Sequence, residues 1–272
     1  MVVTIEDVVT INTQEYFGEA REVAKKKAPH TEDTWKKGRT IEEKEEDLFP
    51  GEVAELAVKK LLNDFMIPFV HYDKIRKDDF KNHDPFDFVF YNENIERGAV
   101  VKLLNDHVLS NVNKYGIIEP PFDFRSNRML TVEVKSSKDN KGFGLENILE
   151  YQHHIGYPLS KLYGYKNQGY TLMNIPGISQ DFVERYLIMN KRVKDVNIRV
   201  FFTKLDLTEA HVVGWIDKET LLTCGEIGTF SHNPRAVYHK LLLAKGKKIK
   251  ELPQTLRRTW QNPKRQLGIS EF

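Results

Sequence analysis

The 272-residue sequence predicts a fold of the α/β (α+β) class, in which helices and strands both contribute to the core. Apolar residues recur at helical spacing across residues 50–65, which is typical of an amphipathic helix with one buried face. Residues 129–135 alternate between apolar and polar side chains, and residues 85–91 place Phe86, Phe88 and Phe90 on one face and Asp87 and Val89 on the other, which is the period of a strand. Two further apolar runs, 196–203 and 211–216, predict a pair of neighbouring strands.

The predicted helix carries one carboxylate that can reach a cleft. Pro50 suits the first turn of a helix, where no amide donor is needed. The residues that define the buried face are Ala54, Ala57, Val58, Leu61 and Phe65. Glu55 borders this face, whereas Glu52 is expected to point away from the core as a favourable first-turn charge. An alternative for Glu55 is a surface ion pair with Lys59, four residues later.

Each of these two predicted strands carries an acidic side chain on the face opposite its apolar face. On the first, Asp87 lies opposite the face that Phe86 and Phe88 share. On the second, Glu133 and Lys135 are two residues apart and therefore project to the same side. If the strands are neighbours, Asp87 and Glu133 lie close together. The alternatives are that Asp87 caps the start of its strand, and that Glu133 and Lys135 form the solvated face of an edge strand.

Two neighbouring carboxylates predict a site for a hard cation. Their mutual repulsion raises a pKa unless a cation is bound, and oxygen ligands favour Mg²⁺, with Mn²⁺ as a second possibility. An ammonium such as that of Lys135 can orient a water or stabilise charge on a phosphate. The pattern therefore favours metal-assisted chemistry on a phosphate ester.

These residues resemble the PD-(D/E)XK nuclease superfamily. The likeness consists of a glutamate on a helix, then Pro85-Phe86-Asp87, then Glu133-Val134-Lys135, in the order typical of that family. It covers about residues 50–220 and implies a mixed central β-sheet flanked by helices, a restriction-endonuclease-like core. Asp87 and Glu133 are 46 residues apart, which exceeds the usual spacing, so residues 92–128 are interpreted as an insertion.

The resemblance also implies roles for individual residues. Asp87, Glu133 and the backbone carbonyl of Val134 would bind the metal, and Lys135 would position the attacking water. Glu55 would join a second metal ion or hold water on it. The reaction implied is in-line hydrolysis of a phosphodiester.

Charge and composition complete the domain interpretation. We divide the chain into an N-terminal helical region (1–48), a nuclease-like core (49–232) and a basic C-terminal segment (233–272) packed on or extending that core. The last segment has ten Lys or Arg and two Glu, a charge of +8, against −6 for the rest. Its DNA-contact candidates are Lys245, Lys247, Lys248, Lys250, Arg257 and Arg258. Alternatives are a solvated amphipathic helix, expected around 236–243, or a disordered end.

The function expected from these observations is divalent-metal-dependent DNA cleavage by a type II restriction enzyme-like endonuclease. Such an enzyme acts on double-stranded DNA and is expected to be a homodimer. The alternatives are a phage or repair nuclease acting on DNA ends or junctions, and a non-catalytic nucleic-acid-binding protein with the same fold. The single cysteine, Cys224, excludes a disulfide framework or a cysteine-based zinc site. With no signal-peptide pattern and no apolar run long enough for a bilayer, a cytoplasmic location and no membrane partner are expected.

Overall fold

The computed structural model describes residues 2–31, 38–114, 116–139, 144–158, 194–230 and 233–261, without the side chains of 153–158, 222 and 227–239. The helices in these ranges are α1 (Phe17–Lys27), α2 (Ile41–Asp64), α3 (Arg97–His107), α4 (Lys218–Cys224) and α5 (Leu252–Gln261). The strands are β1 (Val9–Asn12), β2 (Phe69–His71), β3 (Phe88–Tyr91), β4 (Met129–Lys138), β5 (Gln152–Pro158), β6 (Val196–Phe202), β7 (Glu209–Asp217), β8 (Glu226–Phe230) and β9 (Asn233–Leu242).

The main sheet is mixed, as expected for the α/β (α+β) class. It has six strands in the order β1-β7-β6-β4-β3-β2. β4 runs parallel to β6, and the other neighbouring pairs are antiparallel. β3 and β4 are direct neighbours, with Phe88 opposite Val132, so the two strands that carry the predicted acidic residues do pair. A second sheet has the order β5-β9-β8.

Helix α2 packs its apolar face against the main sheet. Ala54, Ala57, Val58 and Leu61 are buried in one cluster with the inward-facing residues of β3, β4 and β6. Small side chains at two of these positions let the helix approach the sheet closely. The position of α2 fixes where Glu55 can reach, since Glu55 lies between two of the buried positions.

Pro50 is not in the first turn of its helix, so that expectation was wrong. The helix begins nine residues earlier, at a capping box in which the Glu43 amide donates to Thr40 Oγ1 and the Thr40 amide donates to the Glu43 carboxylate. Pro50 costs the helix one backbone hydrogen bond, but it is buried, as are Phe49 and Val53 of the same helix. The helix also crosses residue 48, where we placed the boundary of the N-terminal region.

The N-terminal region combines a helix with a strand. β1 pairs with β7 at the edge of the main sheet, which the expectation of a helical region did not include. α1 packs on α2 through buried Ala20 and Ala24. Because α1 covers the side of α2 that would otherwise face water, it brings Lys27, its last residue, next to Glu52.

The described part of the C-terminal segment begins with a strand instead of the helix expected around 236–243. β9 pairs with β5 on one side and β8 on the other. Short apolar runs fit both helical and strand periods, and here pairing with two partner strands decides the outcome. The segment then continues to α5, which buries Leu252 and Leu256 against the main core.

Residues 92–128 form an excursion between the paired strands β3 and β4. It contains α3, whose Val100 and Leu104 are buried in a separate apolar cluster with Val89 of β3. This cluster lies apart from the one beneath α2. Within the described ranges, no helix has both the length and the apolar character required to cross a membrane.

His211 gives the fold a defined dependence on pH. Its ring lies between the hydroxyls of Thr10 and Thr203, each 2.9 Å from a ring nitrogen. Burial lowers the pKa of His211 below its usual 6.5, so the unfolded chain takes up a proton at a higher pH than the folded chain does. Folding stability therefore falls as the pH drops through about 6.5. We expect the loss of unfolding free energy between about pH 7.5 and about pH 5.5, from urea titrations, to be smaller in His211→Gln; an equal loss would contradict this.

Candidate active site

The four residues predicted to carry the chemistry line one cleft. A cavity of about 450 Å³ is bordered by Glu55 of α2, by Asp87 just before β3, and by Glu133, Val134 and Lys135 of β4. Helix packing and the β3–β4 pairing together produce this convergence. The neighbouring walls come from the end of α1 and from the loop that precedes β3.

Asp87 is held by β4. Its amide donates to the Val132 carbonyl at 2.9 Å, and its Oδ2 accepts a hydrogen bond from the Val134 amide at 2.5 Å. The carboxylate thus reaches across to the neighbouring strand instead of capping its own. Both contacts fix Asp87 beside the segment that carries Glu133.

Glu133 and Lys135 form an ion pair on the cleft side of β4. Their side chains are 22% and 48% exposed, respectively. β4 lies between β3 and β6, so the interpretation of these residues as the solvated face of an edge strand is wrong. The two charges stabilise each other, and the Glu133 carboxylate raises the pKa of Lys135.

The Glu55 side chain is 13% exposed and does not pair with Lys59. Its Oε2 lies 3.3 Å from Nε2 of His71, whose ring stacks on Phe88 at 4.7 Å between centroids. Lys59 instead approaches Glu19, at 3.7 Å. Burial lowers the pKa of His71 to about 4, so the ring is neutral and does not compensate the charge of Glu55.

The carboxylates of the cleft repel one another, and this repulsion adds to the effect of burial on the pKa values of Asp87 and Glu55. Burial, followed by the charges of Glu55 and Glu133, raises the pKa of Asp87 well above its usual range. Burial and nearby carboxylates also raise the pKa of Glu55 to about 8, although Lys27 opposes this. Burial likewise disfavours the charge of Glu133, but Lys135 and Lys194 outweigh it and lower the pKa of that carboxyl.

Sequence reasoning missed a second layer of charge beside these residues. Together they form what we call the acidic cluster: Glu52, Glu55, Asp73, Asp84, Asp87 and Glu133. Among the described residues, its cations are Lys27, Arg76, Lys135 and Lys194. Glu52, expected to point away from the core, is 6% exposed and pairs with Lys27. The expectation was wrong because α1 covers that side of α2.

The donor set of the cluster fits a divalent cation. Carboxylate oxygens are the ligands that Mg²⁺ and Mn²⁺ prefer. The pKa values of Asp87 and Glu55 are raised, which indicates that the cleft disfavours the ionisation of all its carboxylates when no cation is bound. Ligand atoms of Glu55, His71 and Asp73 also lie within 4.8 Å of one another. In that second group, however, Lys27 and Arg76 already contact the two oxygens of Asp73.

The six basic residues predicted to contact DNA do not line the cleft. Lys247 pairs with Asp217, and Lys248 lies 3.2 Å from Asp7, so both bind within the fold. Lys250 is exposed and donates to the carbonyl of Glu6 at 3.2 Å. The three remaining candidates, Lys245, Arg257 and Arg258, are exposed.

Comparisons with protein-family models, with curated proteins and with solved structures found no match to this chain. The functional assignment therefore depends on the chemistry of the cleft.

Proposed function

We propose that this chain is a divalent-metal-dependent DNA endonuclease with a restriction-endonuclease-like core, most similar to type II restriction enzymes of the PD-(D/E)XK superfamily. One observation carries the proposal: Asp87, just before β3, and Glu133, on the paired strand β4, line one cleft with Glu55 and Lys135. The order of these residues along the chain also matches the order typical of the superfamily.

Mg²⁺ or Mn²⁺ would be held by Asp87, Glu133 and the Val134 carbonyl, with Glu55 beside them. When bound, the ion stabilises negative charge on the attacking and leaving oxygens of a phosphodiester. Glu133 contributes a carboxylate that is ionised at neutral pH, since its pKa is lowered. The Val134 amide holds Asp87 in position, so this carboxylate does not need to be reoriented when substrate arrives.

Lys135 is the residue suited to position the attacking water. Its ammonium has three N–H donors, and the contact with Glu133 leaves others available at a half-exposed position. A water held there lies beside the metal-binding carboxylates. The same positive charge favours the approach of a phosphate.

Double-stranded DNA is the proposed substrate, and a homodimer acting in the cytoplasm is the proposed assembly. A dimer would place two such clefts on the two strands of a two-fold symmetric site. Exposed Lys245, Arg257 and Arg258 would supply phosphate contacts outside the cleft.

The direct test is cleavage of supercoiled plasmid by the full chain with Mg²⁺, with EDTA, and with the variant Glu133→Ala. We expect cleavage only by the unmodified chain with Mg²⁺, because Glu133→Ala removes a metal ligand. Discrete bands support a sequence-specific endonuclease, whereas a smear contradicts that specificity and points to a non-specific or end-directed nuclease. A folded chain that cleaves nothing with either Mg²⁺ or Mn²⁺ contradicts the proposed function.

A further inference from the structure

Lys27 lies at the centre of three carboxylates beside the proposed metal site. It ends α1, and its side chain is 10% exposed. Its Nζ lies 3.0 Å from Glu52, 2.9 Å from Asp73 and 3.0 Å from Asp84. An ammonium has three N–H donors, and three carboxylates account for all of them.

Lys27 is also connected to the residues of the proposed active site. It borders the same cleft as Asp87 and Glu133, and Glu55 is the carboxylate whose charge acts on it most strongly. Glu55 in turn is repelled by Glu133. Glu55 therefore lies between a fixed cation on one side and the Asp87–Glu133 pair on the other.

We propose that the Lys27 ammonium takes the place of a second divalent cation in this cleft, so that the chain binds one such ion, at Asp87 and Glu133. The inference rests on the proposed function and deepens it. It reassigns Glu55, which the family resemblance associates with a second metal ion, to an electrostatic interaction with a cation that the chain supplies itself.

The two sides of the acidic cluster differ in a way that favours one ion. On the Lys27 side, Arg76 also contacts Asp73 at 3.1 Å and Asp84 at 2.5 Å, so two fixed and largely buried cations already contact the carboxylates there. On the other side, the cation that contacts Glu133 is the half-exposed Lys135. Lys194 also acts on Glu133 and Asp87, but among the described residues no buried cation contacts either carboxylate. A divalent ion therefore has more room to bind at this pair than beside Lys27.

The distances around Lys27 also match an ammonium. Contacts of 2.9–3.0 Å are those of charge-assisted hydrogen bonds, whereas Mg²⁺ binds oxygen at about 2.0–2.1 Å. Without the ammonium, three carboxylates would surround one position. A divalent ion that keeps part of its water shell can be held by these carboxylate oxygens through its bound water.

The test is the number of Mn²⁺ ions bound by the full chain, counted from the loss of the free-Mn²⁺ resonance in electron paramagnetic resonance titrations without DNA. We expect one ion for the unmodified chain and two for Lys27→Met (K27M). Lys25→Met is the matched control, an exposed lysine on the same helix, and is expected to bind one ion. Glu133→Ala is expected to lose the first ion.

The outcomes separate the two proposals. No ion on either the unmodified chain or K27M contradicts the proposed metal site, and with it the proposed function. Two ions on the unmodified chain, or one ion on both chains, contradicts the proposed role of Lys27 but leaves the proposed function standing. If K27M is unfolded in EDTA, recovery of its circular dichroism with added Mn²⁺ supports the proposal. Failure to recover at saturating Mn²⁺ contradicts it.

Discussion

Replacing Lys135 by Met is expected to lower the rate of DNA cleavage at saturating Mg²⁺ by about 10²–10³-fold, the usual effect of removing one preorganised charge-stabilising donor. The ammonium is the half-exposed donor beside Glu133, so its loss removes the group that would position the attacking water. The variant is expected to fold, because the Lys135 side chain is half-exposed and Met can replace its aliphatic part. The measurement is single-turnover cleavage of a defined duplex.

Metal binding distinguishes this role from a structural one. The Lys135 ammonium competes with a cation for the Glu133 carboxylate, so Lys135→Met is expected to bind Mn²⁺ at least as tightly as the unmodified chain. Lys138→Met is the matched control, since it removes the same charge from the same strand at a position three residues away. Cleavage that persists in Lys135→Met, or falls equally in both variants, would refute the assignment of Lys135.

The local pattern of the sequence was sufficient to predict some of the residues that face the cleft. Period-two alternation places Glu133 and Lys135 on one side of β4, and the structure pairs them there. The position of Glu55 at the border of an apolar helix face correctly indicated a residue that can reach a cleft. These predictions succeed because they depend only on the geometry of one helix or one strand.

The cations of the acidic cluster could not be predicted in the same way. Lys27 belongs to a run of three lysines, and the other two, Lys25 and Lys26, are exposed. Which of the three is buried depends on how α1 packs on α2, a long-range contact that no spacing within the run encodes. Arg76 likewise lies in a loop rich in Lys and Asp, where the sequence offers many equivalent pairings.

A similar limit explains the errors in secondary structure. The helical pattern after Pro50 is real, but the helix starts at the capping box at Thr40, where a charged run conceals the apolar period. Residues 236–243 satisfy both a helical and a strand period. The strand conformation of 236–242 depends on β5, which is distant in the sequence, and on β8, which lies shortly before β9. In both cases tertiary contacts outweigh local propensity.

Replacing Arg76 by Met is expected to lower the free energy of unfolding by about 3–5 kcal/mol, the usual cost of removing one partner from a buried charge network. Its side chain is 3% exposed, and its guanidinium contacts Asp73, Asp78 and Asp84. It also donates to the carbonyl of Asn82 at 2.8 Å. Met fills much of the same space, so the loss reports mainly the carboxylates left without a cation. Urea unfolding in EDTA at neutral pH measures it.

Lys77→Met provides the matched control, since Lys77 is the next residue and is exposed. Its unfolding free energy is expected to change by less than about 0.5 kcal/mol. Adding Asp84→Asn to Arg76→Met is expected to recover part of the lost stability, because it removes one uncompensated charge, whereas Asp84→Asn alone leaves Arg76 with fewer partners. A non-additive pair of this sign identifies charge compensation as the cause. A loss below about 1 kcal/mol for Arg76→Met would instead mean that the carboxylates are neutralised by protons, and that Arg76 does not hold the acidic cluster together.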